Sequence, residues 1–254
     1  MRYIFITLIC CISISASAIN YSPNDTNKLD ASGKKQGLWK EITEGLEWYG
    51  MYYNDTKNGV WASYHPATSP PLVNRSIGYI NGKRNGLYIE TDRNGFITMQ
   101  EFYKNDSLEG MVVVFASGGK PKSEASFHNG KLNGTKKLYN SENFKLQEEG
   151  VYVNGKREGV AKWYYTEGKV SVEYTYKNGD LEGKMKTYYK NGNISAEGTY
   201  VHNEFEGDYF EYYENGNVKC SGKYIKGKKE GIWKEYDENE KMKQVKYKNG
   251  EVKK

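Results

Sequence analysis

The chain is short of almost everything that usually fastens a compact domain. It carries three cysteines, five prolines and three histidines in 254 residues. Two of the cysteines, Cys10 and Cys11, fall in an N-terminal stretch that reads as a leader, so after its removal only Cys220 remains and no intramolecular disulfide can form. Long apolar runs are missing as well. The longest, Ile4 to Ile14, has eleven residues, against the roughly 20 that a membrane-crossing helix needs. Nor is there a surplus of one charge: 37 Lys+Arg face 32 Asp+Glu, for a net charge of +5 that drops to +4 without the first eighteen residues. That gives no clustered basic face, so nucleic acid is not expected as a partner. After residue 18, Leu, Ile, Val and Phe together make up only about 17% of the chain, a level typical of disordered sequences. The same stretch holds 28 Tyr and Trp residues at a fixed period. Aromatic rings must therefore supply what aliphatic side chains do not.

Residues 1–18, MRYIFITLICCISISASA, have a basic start at Arg2, the short apolar run and Ala16-Ser17-Ala18 as a small-x-small cleavage site. They read as a signal peptide, and the expected location is outside the cytoplasm: periplasm, cell envelope or medium. Residues 19–32 lack any apolar period and read as a flexible segment. Residues 33–250 form a repeat array, and 251–254 a tail.

The repeat sets the architecture. Units open at Asn54, Asn81, Asn105, Asn129, Asn154, Asn178, His202 and Lys226, a truncated one opens at Asn249, and a degenerate leading unit begins near Gly33. The template is N-G-K-x-x-G-x-(W/Y)-x-x-Y-x-x-N-G, followed by a mixed stretch, a small residue, one spacer and Tyr. Eleven Asn-Gly pairs supply the positive φ angles that two-residue hairpin turns demand. No unit offers a run long enough for a helix. The fold expected is all-β: an elongated, single-layer antiparallel β-hairpin solenoid of about nine 24-residue repeats. Small residues alternate with the closing Tyr, as in Ala196, Gly198, Tyr200 and Cys220, Gly222, Tyr224. A Gly on that face leaves room for a neighbouring ring to lie flat, and Cys220 reads as a small buried hydrophobe. The faces of the other strand stay open, because Trp233 and Tyr236 are three apart. His65 to Arg75, with Pro66, Pro70 and Pro71, is expected to loop out.

The units around NGKREGVAKWYYTEGKVSVEYTYKNG resemble MORN repeats of the bacterial variant found in YwqK family antitoxin-like proteins, and the resemblance spans residues 33–250. It implies a hairpin solenoid acting as a protein-binding or membrane-associated scaffold without catalysis. Combined with export, an antitoxin role would become immunity to an exported toxin in the envelope. Choline-binding repeats also combine Gly, Trp and Tyr in short hairpins, which keeps binding of envelope glycan or phospholipid headgroups through exposed aromatics as the alternative.

No residues suggest a catalytic centre, a metal site or a cofactor. His128 and His202 stand three repeats, or roughly 30 Å, apart and cannot share a metal. A column of carboxylates, Glu109, Glu158, Glu182, Glu206 and Glu230, precedes the second Gly of its units. It reads as a solvated edge that discourages sheet-to-sheet pairing. No nucleophile elbow, phosphate loop or Cys-x-x-Cys pair occurs. Function is then expected from surface. Two residues after the second Gly, aromatics gather toward the ends of the array at Trp39, Trp61, Tyr88, Tyr209 and Trp233. Facing outward they would contact a partner protein; facing inward they would cap the terminal repeats.

Overall fold

A computed structural model describes residues 26–253. The signal peptide expected at residues 1–18, and residues 19–25 after it, lie outside the described residues. All regular structure described is strand, in one sheet of 22 strands. Four are two-residue stubs, at Lys28–Leu29, Ser107–Leu108, Glu204–Phe205 and Glu251–Val252, which leaves eighteen longer arms. Every pairing is antiparallel, and each arm pairs with its neighbours in the chain. This is the hairpin solenoid that the period implies.

Two kinds of residue shape each hairpin. At the tip, Asn154 and Gly155 have φ of 51° and 84°, between the paired residues Val153 and Lys156. Two successive left-handed residues make a type I′ turn, whose twist matches that of the strands it joins. The second Gly of the unit, Gly159 at φ 71°, then opens a bulge. Between the pairs Val151–Glu158 and Glu149–Lys162, the first arm has one residue where the second arm has three. The same excess recurs between Met51–Asn58 and Tyr49–Ala62 and between Lys223–Glu230 and Ser221–Lys234. It lifts the residue two after the Gly across the neighbouring strand.

That lift builds the core. Trp61 and Trp233 are fully buried, although no second layer covers the sheet. Trp61 meets Tyr52 edge-on at 5.3 Å and Tyr79 at 6.4 Å, and Trp233 meets Tyr224 at 5.1 Å and Tyr247 at 6.1 Å. Such edge-to-face pairs are favoured by the ring quadrupole. Ammonium groups cap both indoles, Lys57 and Lys229 each 4.0 Å from the ring centre. The indole N–H groups donate to the carbonyls of Met51 and Lys223. Beneath the rings lie the glycines: a Cβ on Gly50 would stand 2.2 Å from Trp61 Cδ2, and one on Gly222 2.3 Å from Trp233 Cδ2. Where the residue below is itself a ring, a flexible side chain takes the upper place, as in Tyr174 paired with Met185.

Three boundaries differ from those expected. The loop-out covers residues 65–72, because Val73–Ile80 is already strand and the His65 amide closes the loop on the Leu72 carbonyl. Within the segment 19–32, Lys28 and Leu29 pair with Gln36 and Lys35, and the Asn27 side chain accepts from the Lys40 amide and donates to its carbonyl. In the tail, Glu251 and Val252 pair with Lys248 and Tyr247. The sheet therefore runs past both ends of the array as read from its motifs.

Gly222→Ala drives a methyl into the Trp233 indole and should lower stability by about 1–3 kcal/mol, the usual range for overpacking. In a Trp233→Ala background the same change should cost much less. Thermal denaturation of the four proteins measures the coupling.

Candidate functional site

The five aromatic residues expected at a partner contact all face the core. Trp61 and Trp233 have no exposed surface, and Trp39 and Tyr88 pack against the cluster of Tyr52, Trp61 and Ile77. Tyr209 stacks edge-on against Phe205 at 5.4 Å and Tyr224 at 5.3 Å. The outward-facing alternative is corrected: the two extra residues of the bulge leave the alternation of the arm unchanged, and the pairing register puts these positions on the same face as the closing tyrosines. Tyr164, Tyr188 and Tyr212 turn to the opposite, outer face instead. Each hydroxyl donates to a carboxylate fifteen residues earlier: Glu149, Glu173 and Glu197.

The carboxylate column is corrected as well. Glu109, Glu158, Glu182, Glu206 and Glu230 each accept the backbone N–H that opens the next hairpin turn, at Asn129, Asn178, His202, Lys226 and Asn249, over 2.7–2.9 Å. They staple one hairpin tip to the next. Charge assistance makes such bonds stronger than neutral ones. The Asn129 amide, with His128 beside it, holds the Glu109 carboxyl below the usual range. The column's 19–20-residue spacing has no local signal, so only knowledge of the pairing could have exposed it.

The opposite edge is stitched by hydroxyls. Tyr165, Tyr189 and Tyr213 donate to the carbonyls of Tyr188, Tyr212 and Tyr236 in the following unit. His65 occupies the same slot, with Nε2 3.0 Å from the Thr91 carbonyl. Its place in the structure is that of a stitch. His128 Nδ1 lies 2.9 Å from Glu109 and His202 Nδ1 3.8 Å from Glu182, both beside turns. Cys220 is buried, and burial raises its thiol pKa. Among the described residues no three His, Cys, Asp or Glu side chains are placed to hold a metal.

Several tyrosine hydroxyls are pushed from 10 to about 12, in each case first by burial and then by a nearby carboxylate. They include Tyr88 beside Glu90, Tyr103 beside Glu101, Tyr188 beside Glu173 and Tyr209 beside Glu211. The hydroxyls remain protonated donors through the physiological range.

The outer face is where the repeats differ. In the N-terminal half, Met51, Val60, Leu87, Phe102 and Met111 are 36–59% exposed. Beside them lie Ala62, Ser76, Ile89, Gln100 and Val113, and no charged side chain enters these two rows. In the C-terminal half the same rows carry ion pairs: Lys162–Glu173 at 3.2 Å, Lys186–Glu197 at 3.9 Å and Lys223–Asp208 at 3.7 Å. Exposed pairs of this kind contribute little stability but keep the face solvated.

Comparison with known proteins agrees with this geometry. Residues 157–178, 181–202, 205–226 and 229–249 match the family described as MORN repeat variant, one match per hairpin unit. These four consecutive units are MORN repeats of the variant type. No curated protein sequence matches the chain. Similar solved structures include a TarM mutant from S. aureus in complex with fondaparinux, alpha-GlcNAc-glycerol and UDP. It is 12% identical with a TM-score of 0.24, over 50% of this chain and 22% of that one. A GtfA/B complex bound to UDP and GlcNAc is 9% identical with a TM-score of 0.17, over 49% of this chain and 22% of that one.

Two pH effects follow. A raised tyrosine pKa adds stability that is intact below 10 and is lost as pH climbs through about 12. Alkaline titration should therefore show tyrosinate absorbance rising together with loss of sheet. A lowered carboxyl pKa, as at Glu109, adds stability above the ordinary carboxylate range that is lost as pH falls through the folded value. Glu158→Ala should speed amide exchange at Asn178 while leaving distant turns unchanged, which hydrogen exchange read by NMR checks.

Proposed function

We propose that the chain is an exported, non-enzymatic repeat scaffold that binds a protein partner through its outer face. The observation that carries this reading is the charge-free apolar field between Met51 and Val113. Nothing in the hairpin fold requires it, since the C-terminal repeats form the same sheet with an ion-paired outer face. Exposed contiguous apolar surface on a folded chain marks an interaction site. Catalysis finds no support in the described groups. The carboxylate column staples turns, and the hydroxyls that stitch the other edge are bonded to backbone.

Export rests on the leader at residues 1–18. The YwqK-like resemblance gives the binding role a specific form, neutralisation of an exported toxin in the envelope. The alternative is glycan or lipid headgroup binding through exposed aromatics; the five rings expected at a protein contact, Trp39, Trp61, Tyr88, Tyr209 and Trp233, face the core and supply neither reading with a contact.

Cell fractionation with N-terminal sequencing tests export: the mature chain should begin at residue 19 and lie outside the cytoplasm. Affinity capture from the envelope fraction tests binding. A protein retained stoichiometrically by the wild-type chain and released by Phe102→Glu supports the scaffold reading. Retention on cell-wall material with no protein captured would overturn it.

A further inference from the structure

The partner that best fits the apolar field is a second copy of this chain; the inference rests on the scaffold reading above and gives it a partner. Taken in strand order, the outer row nearest the turns reads Leu38, Met51, Val60, Gly78, Leu87, Phe102, Met111, with Leu38–Met51, Val60–Gly78 and Leu87–Phe102 directly paired and the steps between them crossing a bulge. Large side chains flank a glycine almost symmetrically. A two-fold axis running along the Val73–Ile80 strand, between two sheets packed face to face, superimposes the row on itself. We infer that the outer faces of two copies pack in this way over the N-terminal half of the array.

The chemistry of the field suits that occupant. Val60 falls over Leu87 of the partner subunit and Met51 over Phe102 of the partner subunit. The Gly78 dip on the axis receives the flanking side chains, as facing sheets about 10 Å apart require. Ile80, 55% exposed in the single chain, lies on the axis and meets its own counterpart. The one charge in the central rows, Lys40 on the outermost strand, is already paired with Glu47 at 2.7 Å, so pairing buries no unpaired ion, which would be costly. At the rim, Lys104 comes over the partner subunit's Tyr53, whose ring is 67% exposed in the single chain.

The area is adequate too. Seven strands at about 4.8 Å by three outward positions at about 6.7 Å cover on the order of 700 Å² per copy. A stable interface buries roughly 800 Å² per partner. Farther along the array the rows carry the Lys–Glu pairs, so contact ends where the charge begins.

Sedimentation equilibrium of the full chain should give twice the monomer mass. Ile80→Asp places like charges on the axis, and it and Leu87→Asp should each halve that mass while leaving the melting temperature and circular dichroism unchanged. Lys234→Glu, on the outer face of the C-terminal half, should leave the mass at that of the dimer. Amine cross-linking of the wild-type protein, which needs no substitution to fold, should join Lys83 to Lys83 of the partner subunit. A monomeric wild type overturns the proposal, as does a dimer that survives both Asp variants and lacks the Lys83 cross-link. A monomer that captures a different protein, and releases it on Phe102→Glu, overturns self-pairing and leaves the scaffold reading standing.

Discussion

A sheet one layer thick has no second layer to hide its apolar surface, so it must bury side chains against its own backbone. In this chain the bulge after the second Gly makes that possible. Two extra residues on the second arm swing a ring over the neighbouring strand, where Gly50 or Gly222 leaves the backbone bare. The ring then sits in a slot walled by closing tyrosines on either side and roofed by a lysine. Everything else in the architecture serves that stack. The turns keep hairpins at constant spacing, while carboxylate staples on one edge and tyrosine stitches on the other hold successive units in register.

Sequence periodicity carries some of this and conceals the rest. Turns and closing aromatics are legible because they depend on local chemistry: Asn-Gly for positive φ, and alternation for the Tyr face. The glycine that makes room for a ring is legible from the small-small-aromatic pattern at Cys220, Gly222 and Tyr224. The five aromatics from Trp39 to Trp233 stay unplaced in the sequence, because Trp233 and Tyr236 fall on opposite faces and only the pairing register shows which of the two meets the closing tyrosines. The staples are hidden for a related reason. Glu158 and the Asn178 amide are neighbours across strands but twenty residues apart in the chain, so the glutamate column resembles an ordinary solvated edge.

The division of labour between faces explains where variation can collect. On the aromatic face, substitutions must conserve ring-over-glycine volume from strand to strand, and the lysine caps must keep their reach. The outer face carries only local constraints, such as the Tyr164–Glu149 and Tyr188–Glu173 bonds. It is therefore free to be apolar between Met51 and Val113 and ion-paired beyond Lys162. A repeat scaffold that holds its fold with one face and recognises with the other can change partners without changing its core.

The central claim is that Trp61 and Trp233 are sealed within a single layer by neighbouring rings, a bare glycine and a capping lysine. Exchange of their indole N–H protons, followed by NMR in the full chain, tests it most directly. The account predicts that both exchange only through opening of the sheet, at rates set by stability, because each is buried and bonded to a strand carbonyl. Exchange at the rate of a free indole while the sheet stays folded would contradict it.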